Sequence, residues 1–244
     1  MPAVLREAWT TVVPDLTDRH GPLPPLMIVL TVVTGLIDAF SYLTLGHVFV
    51  ANMTGNVVFS GFAIVGAAGF SLAASLASLA AFAAGALLGG RLGRSARQHR
   101  ARVLHRALTV EAALVAGAFL ATQVVGHPYG GQGRYPLIAL LGLAMGVQNA
   151  AARALAVPDL TTTVLTLTIT GIAADSRLAG GPDARAGRRL LSAAAMLVGA
   201  LAGACAVLHG HPALVLLLAA ALLAAAGLAA LRFTGTSAAW SVPM

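Results

Sequence analysis

Charged residues are scarce in this chain, and lysine is absent altogether. Only 9% of the 244 residues are charged, whereas 58% are hydrophobic. All 15 basic residues are arginine, a bias that GC-rich codon usage explains better than selection for phosphate binding, so the basic net charge does not indicate a nucleic-acid partner. No soluble fold could cover this much apolar surface, and the composition therefore indicates a membrane protein.

Cysteine and the usual catalytic motifs are also nearly or wholly missing. Cys205 stands alone inside an apolar run, which excludes a disulfide framework and a CxxC site. There is no nucleophile elbow, phosphate-cradling loop or dinucleotide fingerprint, so we predict that the protein is not an enzyme and needs no cofactor. Four histidines fall on the predicted outer side and could bind zinc or copper, but no carboxylate or cysteine joins them, so no metal site is predicted: His47, His127, His209 and His211.

Long hydrophobic runs, in contrast, recur along the whole chain. Six of them approach the ~20 residues that cross a bilayer, at about 26–46, 70–92, 107–126, 136–156, 190–209 and 213–231. Their small residues suit closely packed helices rather than barrel strands. We predict an all-α, polytopic helical bundle with a polar N-terminal segment (1–25), one transmembrane domain (26–232) and a C-terminal tail (233–244).

Two shorter apolar pieces lie at about 53–67 and 162–174. The distribution of arginine indicates whether they cross the membrane. The segments 91–106 and 177–189 are rich in arginine and should both be cytoplasmic. Both segments lie on the cytoplasmic side if neither short piece crosses the membrane. We therefore predict that the short pieces are re-entrant or broken helices. A total of seven or eight crossings is the alternative. We therefore expect the N- and C-termini to be cytoplasmic.

A weak internal repeat divides the chain into halves at about 26–126 and 136–232. With an offset of 107, Gly35 overlays Gly142, and with an offset of 114 the segment 80–89 overlays 194–203. Three spans per half would place the halves in opposite orientations. Inverted 3+3 repeats with broken helices near the midplane are typical of secondary transporters.

Hydrogen-bonding side chains interrupt both short pieces. Residues Asn52, Thr54 and Asn56 are good helix caps, and their counterparts in the second half are Asp159, Thr161, Thr162 and Thr163. Capped helix starts inside the bundle would favour an anionic or strongly polar ligand. The alternative is that these residues only form interfacial turns.

Ionisable and polar residues within the spans are candidates for function, because they are costly in lipid. Asp38 could carry a proton, or it could only bond neighbours such as Ser41. Glu111 and Arg153 lie at similar depths, so we predict a structural ion pair. Gln148 and Asn149 form a polar stripe that either lines a solute path or joins helices by hydrogen bonds. Small residues at helical spacing predict close helix packing at Gly85, Gly89, Gly199 and Gly203.

The segment 35–64, GLIDAFSYLTLGHVFVANMTGNVVFSGFAI, resembles the YoaK family of bacterial inner-membrane proteins, whose function is not established. A second block, GLAMGVQNAAARAL at 142–155 followed by TTTVLT at 161–166, resembles the family's other signature. The resemblance covers about residues 26–230 and implies no substrate. It marks as motif positions Asp38, Asn52, Thr54, Gly55, Asn56, Gln148, Asn149 and Arg153.

The segment 85–100, GALLGGRLGRSARQHR, is also similar to the cytoplasmic loop signature of the major facilitator superfamily, although Gly90 stands where that signature has an acid. Six spans are half of a facilitator, so the resemblance implies a homodimer.

Three functions fit these observations. The first is a transporter of an unknown small solute, coupled to protons through Asp38, with the two breaks forming the site. A passive small-solute channel is the second. The third is a non-transporting scaffold or stress-response protein of the lipid bilayer, whose polar residues serve packing alone.

Overall fold

The structure is a computed structural model that describes residues 3–95, 99–160, 165–176, 179–181 and 185–242. Two short 3-10 turns lie at Gly131–Gly133 and Ala239–Ser241, and no strand occurs in these ranges, which confirms the all-α bundle. The helices are α1 (Ala3–Val12), α2 (Leu23–Thr44), α3 (Met53–Ile64), α4 (Leu72–Ser95), α5 (Arg100–Val125), α6 (Arg134–Leu155), α7 (Leu165–Ala174), α8 (Ala186–Leu208) and α9 (Pro212–Leu231).

Six of the helices are long and apolar enough to cross a membrane, which confirms the predicted number of spans: α2, α4, α5, α6, α8 and α9. Helix α3 has 12 residues and α7 has 10. At 1.5 Å per residue these helices are roughly 18 Å and 15 Å long, well short of the ~30 Å hydrocarbon core. Their lengths are those of broken or re-entrant helices.

The boundary that differs most from the sequence prediction is the start of α5. This helix begins at Arg100 and not near residue 107. Because arginine is a good helix former, the helix continues beyond the apolar run that marks its membrane-embedded part. Arg100, Arg102 and Arg106 are therefore helical, although we expected them in a loop.

The segment before α2, expected to be only polar, contains a helix that packs on the bundle. Glu7 of α1 accepts a hydrogen bond from the backbone N–H of Gly187 (3.0 Å) and so places a carboxylate at the start of α8, where the helix dipole favours it. Leu5 and Trp9 are exposed on another face of α1. The C-terminal tail folds back as well, because Trp240 is buried.

Helix α2 packs on α8 through glycines that bring the two backbones together. A methyl group added to Gly199 would overlap the backbone of Val32, and one on Gly203 would lie 2.9 Å from the carbonyl oxygen of Leu36. Gly35 of α2 lies against the backbone of Gly199 in turn. Residue numbers rise together along the contact, so α2 and α8 run parallel.

Helices α4 and α6 pack in the same way. A methyl group on Gly85 would overlap the backbone of Leu143, and one on Gly89 would lie 2.9 Å from the carbonyl oxygen of Val147. Gly146 of α6 lies against the backbone of Gly85. These helices also run parallel, with small residues at each point of close approach.

The two pairs meet in opposite directions. The amide nitrogen of Gln148, near the middle of α6, donates to the hydroxyl of Thr34 in α2 (2.8 Å). Gly46, just after the end of α2, lies beside the guanidinium of Arg134 at the start of α6. Gly46 has a φ of +90°, a conformation that glycine adopts at little cost. Helices α2 and α6 are therefore antiparallel.

Neighbouring glycines of α4 give a matched test of this packing. A Cβ at Gly89 would lie 2.8 Å from Ala150 Cβ, whereas a Cβ at Gly90 would meet nothing within 4 Å. We expect Gly89→Ala to lower the free energy of unfolding by about 1–3 kcal/mol through overpacking. Gly90→Ala should be neutral or stabilising because alanine is the better helix former. Thermal unfolding of the two purified variants in one detergent measures the difference, and equal melting temperatures would contradict the packing.

Candidate functional site

The non-helical segment between α2 and α3 is held by a carboxylate. Asp38 lies within α2, and its Oδ1 accepts hydrogen bonds from the backbone N–H groups of Val50 (3.2 Å) and Ala51 (2.9 Å). Backbone N–H groups of a non-helical segment inside the bundle need partners, and Asp38 supplies one for these two. Ser41 does not contact the carboxylate; its hydroxyl donates to the backbone oxygen of Asp38 (3.2 Å).

Asn56 holds the same segment from the other side. Its Oδ1 accepts a hydrogen bond from the N–H of Phe49 (3.0 Å), and its Nδ2 donates to the Phe49 carbonyl (2.6 Å) and to the hydroxyl of Ser78 in α4 (3.2 Å). The Ser78 hydroxyl also donates to the Phe49 carbonyl (2.6 Å). Asn56 is fully buried. A primary amide suits this place because it donates and accepts at once.

The prediction that three residues cap α3 needs correction. Asn52 does occupy the N-cap position, but its side chain makes no capping hydrogen bond. Thr54 and Asn56 lie inside the helix. Instead, Asp38 and Asn56 bind backbone groups of the segment before the helix: Asp38 accepts from Val50 and Ala51, and Asn56 bonds Phe49.

A cavity of about 650 Å³ opens beside Asp38, between α2, α3, α7 and α8. Its polar lining combines the carboxylate with the side chains of Asn52, Thr54 and Thr166. The rings of Tyr42, Phe49 and Phe59 form an aromatic part of the wall, and the other lining residues are small or apolar: Gly35, Ala39, Leu43, Gly55, Val58, Met196 and Ala200.

The cavity joins some of the predicted site residues and leaves others outside. Asp38, Asn52, Thr54 and Gly55 line it. Ser41 and Asn56 lie behind the wall, where they bond backbone, and three further predicted residues lie outside the described part of the chain: Thr161, Thr162 and Thr163.

Several residues that line the cavity were not predicted from the sequence. A local signal could have found Tyr42, because it lies four residues after Asp38 and therefore on the same face of α2. No local signal marks Met196 or Thr166, which reach the cavity from α8 and α7.

Asp159, predicted to cap the second short helix, instead forms ion pairs. Its carboxylate lies 2.9 Å from Arg189 Nε and 3.5 Å from Arg185 Nη1. Arg189 also pairs with Asp175, just after α7 (2.8 Å). The side chains of Arg189 and Asp159 are only 13% and 14% exposed, so this pairing fixes the start of α8 against both ends of the α7 region. Asp159 does not line the cavity.

The predicted ion pair between Glu111 and Arg153 is not present. Glu111 is buried, and within the described residues its Oε1 has no hydrogen-bond partner. Arg153 is exposed, on the opposite side of α6 from the buried Ala151 and Ala152. Similar depth along two helices does not place two side chains on facing sides, because each residue turns the helix by about 100°.

In the polar stripe of α6, Gln148 joins two helices, whereas a hydrogen bond of Asn149 lies within α6. Gln148 is buried and bonds Thr34, while Asn149 Nδ2 donates to the Met145 carbonyl (2.9 Å). Neither side chain lines the Asp38 cavity.

Two of the four histidines on the predicted outer side lie near each other in the structure. His127 and His211 border a second cavity of about 510 Å³. Within the described ranges, no three histidine, cysteine, aspartate or glutamate side chains come together as metal ligands would.

Comparison with known proteins gives two matches. A family described as "Protein of unknown function (DUF1275)" matches residues 26–229. A curated relative, "UPF0700 transmembrane protein YoaK" of Bacillus subtilis (strain 168), is 33% identical over 152 residues, which are 62% of this chain. The match spans 65% of that relative's length. No solved structure matches the chain.

Proposed function

Since the chain belongs to the DUF1275 family, which is of unknown function, we propose from the geometry of the Asp38 cavity that it is a proton-coupled transporter of small molecules. The family match and the YoaK relative confirm the resemblance seen in the sequence. The Arg-rich segments on one predicted side support an inner-membrane location with both termini in the cytoplasm.

The observation that carries the proposal is the double role of Asp38. Its carboxylate holds the backbone of Val50 and Ala51 and also borders the cavity. Protonation would remove the charge from these hydrogen bonds and weaken them, since bonds to a charged acceptor are the stronger ones. A proton on Asp38 would thus loosen the wall of the ligand site, and a ligand that interacts with the carboxylate would compete with the proton.

Corresponding contacts in the two halves support an inverted repeat, an arrangement found in many secondary transporters. The Gly199–Val32 contact of α8 and α2 corresponds to the Gly85–Leu143 contact of α4 and α6. Gly199 of α8 lies 114 positions after Gly85 of α4, and Leu143 of α6 lies 111 positions after Val32 of α2. The second offset exceeds the offset of 107 in the sequence alignment by four residues, about one helical turn. Because α2 and α6 are antiparallel, halves that correspond in this register would have opposite orientations.

This register gives Asp38 a counterpart in the second half. Adding 111 places Asp38 on Asn149 and Ala39 on Ala150. We propose that one half supplies an ionisable group and the other a neutral amide at the corresponding position of its own helix.

One observation favours the scaffold function instead. Asp38, Asn56 and Ser78 all hydrogen-bond within the protein and satisfy backbone groups that would otherwise be costly in lipid. If that were their whole role, substitutions would change stability but no flux.

Proteoliposomes that enclose a pH-sensitive dye separate the three functions. We expect the lumen pH to change when a transported solute is added, and only in vesicles that contain the protein. Solute-induced swelling without a pH change would favour the channel. Absence of both signals for cationic, neutral and anionic solutes would contradict transport.

A further inference from the structure

We propose that the cavity beside Asp38 binds organic monocations, with the carboxylate as counter-charge and the rings of Tyr42, Phe49 and Phe59 as an apolar wall. This inference rests on the proposed function, since it names the class of solute that the transporter carries.

The charge of the lining is the first argument. Asp38 is the one residue with a formal charge among the described residues that line the cavity, and none of the ion pairs in the described ranges involves it. A carboxylate at membrane depth is stabilised by a proton or by a cation, and two backbone N–H groups neutralise its charge only in part. The cavity therefore attracts positive charge.

The same geometry argues against the anionic ligand that the helix caps predicted from the sequence. Helix starts attract anions because their N–H groups are free. Here the N–H groups of Val50 and Ala51, just before α3, already bind Asp38 Oδ1. An anion that approached the start of α3 from the cavity would therefore be repelled by the carboxylate.

The aromatic wall is the second argument. The rings of Tyr42 and Phe49 stack with centroids 4.9 Å apart, and those of Phe49 and Phe59 with centroids 5.8 Å apart. Phe59 in turn contacts Phe70 (5.1 Å), outside the cavity. Aromatic residues are only 5% of the chain, so their concentration beside its membrane-embedded aspartate indicates a local role. The faces of aromatic rings attract cations.

The volume of the cavity and the polarisable side chain in its wall suit an organic ion better than a bare metal ion. A volume of about 650 Å³ lies within the range of about 300–1,000 Å³ that is usual for small organic ligands. Met196 adds a polarisable thioether to the wall, a group that adapts to ligands of different shape. Asn52, Thr54 and Thr166 supply a few polar atoms that can orient the ligand.

Tetraphenylphosphonium and tetraphenylborate test the proposal, because the two ions share a shape and differ in charge. Binding is measured by equilibrium dialysis of the full chain in detergent. We expect saturable binding of the cation. Asp38→Asn should weaken it roughly tenfold or more, as expected for the loss of one close charge pair. The borate should bind the wild type no better than it binds Asp38→Asn.

A second pair of variants tests the aromatic wall without touching the hydrogen bonds of Asp38. Phe59 lines the cavity, whereas Phe62, from the same aromatic cluster, does not. We expect Phe59→Leu to weaken binding of the cation roughly fivefold, within the range of a cation–π contact. Phe62→Leu should leave it unchanged. This pair decides the matter even if Asp38→Asn does not fold.

The outcomes separate the ligand class from the transport function. Equal cation binding by wild type, Asp38→Asn and Phe59→Leu would overturn the site. If the cation fails to bind while a neutral or anionic solute drives Asp38-dependent proton movement, the ligand class is wrong and transport stands. If the cation binds in an Asp38-dependent way but no solute moves protons, the site stands and the transport function fails.

Discussion

Replacing Asp38 by asparagine is expected to reduce solute-driven proton movement to the background of empty vesicles while the protein stays folded. The asparagine oxygen can still accept the N–H groups of Val50 and Ala51, so the segment before α3 keeps its hydrogen bonds. An amide, however, neither binds a proton in this pH range nor offers a counter-charge. The expected result is a folded, monodisperse protein without coupled flux.

The matched control for this variant is Glu111→Gln. Glu111 is the other acidic residue buried within a span, and it does not border the cavity. Both substitutions remove one carboxylate from the membrane-embedded part, so a general effect of charge removal would be common to them. We expect flux to persist in Glu111→Gln. Full flux in Asp38→Asn, measured with the same dye-loaded vesicles, would refute the coupling role of Asp38.

Removing the side chain of Asn56 is expected to cause the largest loss of stability. In Asn56→Ala the N–H of Phe49 loses its partner, while the Phe49 carbonyl and Ser78 each lose one bond but keep the bond between them. A buried polar group without a partner costs about 1–3 kcal/mol and each other lost bond about 1 kcal/mol, so we expect a loss of roughly 3 kcal/mol in the free energy of unfolding.

Asn52→Ala provides the comparison, since both residues come from the same polar stretch. Asn52 makes no capping hydrogen bond and is exposed to the cavity. We expect a change in unfolding free energy of less than about 0.5 kcal/mol, as is usual for surface positions. Thermal unfolding in detergent checks both variants. A similar loss of stability for the two would mean that the polar stretch acts as one structural turn.

The sequence predicted the elements that depend on local signals. Run length and the positions of arginine predicted six spans and two short helices. The interruption at VANMTGN predicted where the membrane-embedded chain leaves helical geometry, and the depth of Asp38 in its span marked it as a functional candidate.

The contacts that could not be predicted depend on tertiary structure. The partners of Asn56 are Phe49 and Ser78, and the latter lies 22 residues away on another helix. Thr166 and Met196 reach the cavity from the second half of the chain, so no spacing within the first half could reveal them. Equal depth suggested the pair of Glu111 with Arg153, but depth says nothing about which side of a helix a residue occupies.

The central claim is that the segment before α3 encloses a water-accessible cavity with a negative charge. Thr54 and Val57 lie on α3; Thr54 lines the cavity, whereas Val57 is 61% exposed and does not line it. Cysteine at either position, with Cys205 replaced by serine, can be treated with a cationic trimethylammonium methanethiosulfonate and with its anionic sulfonate counterpart.

The rates of modification of these two cysteine variants in sealed vesicles are the most direct measurement. We expect Thr54→Cys to react, and to react faster with the cationic reagent, because Asp38 attracts it. Val57→Cys should stay unmodified, since a thiol that faces lipid does not ionise. If Thr54→Cys is as unreactive as Val57→Cys from both sides of the membrane, the cavity is dry and the account is contradicted.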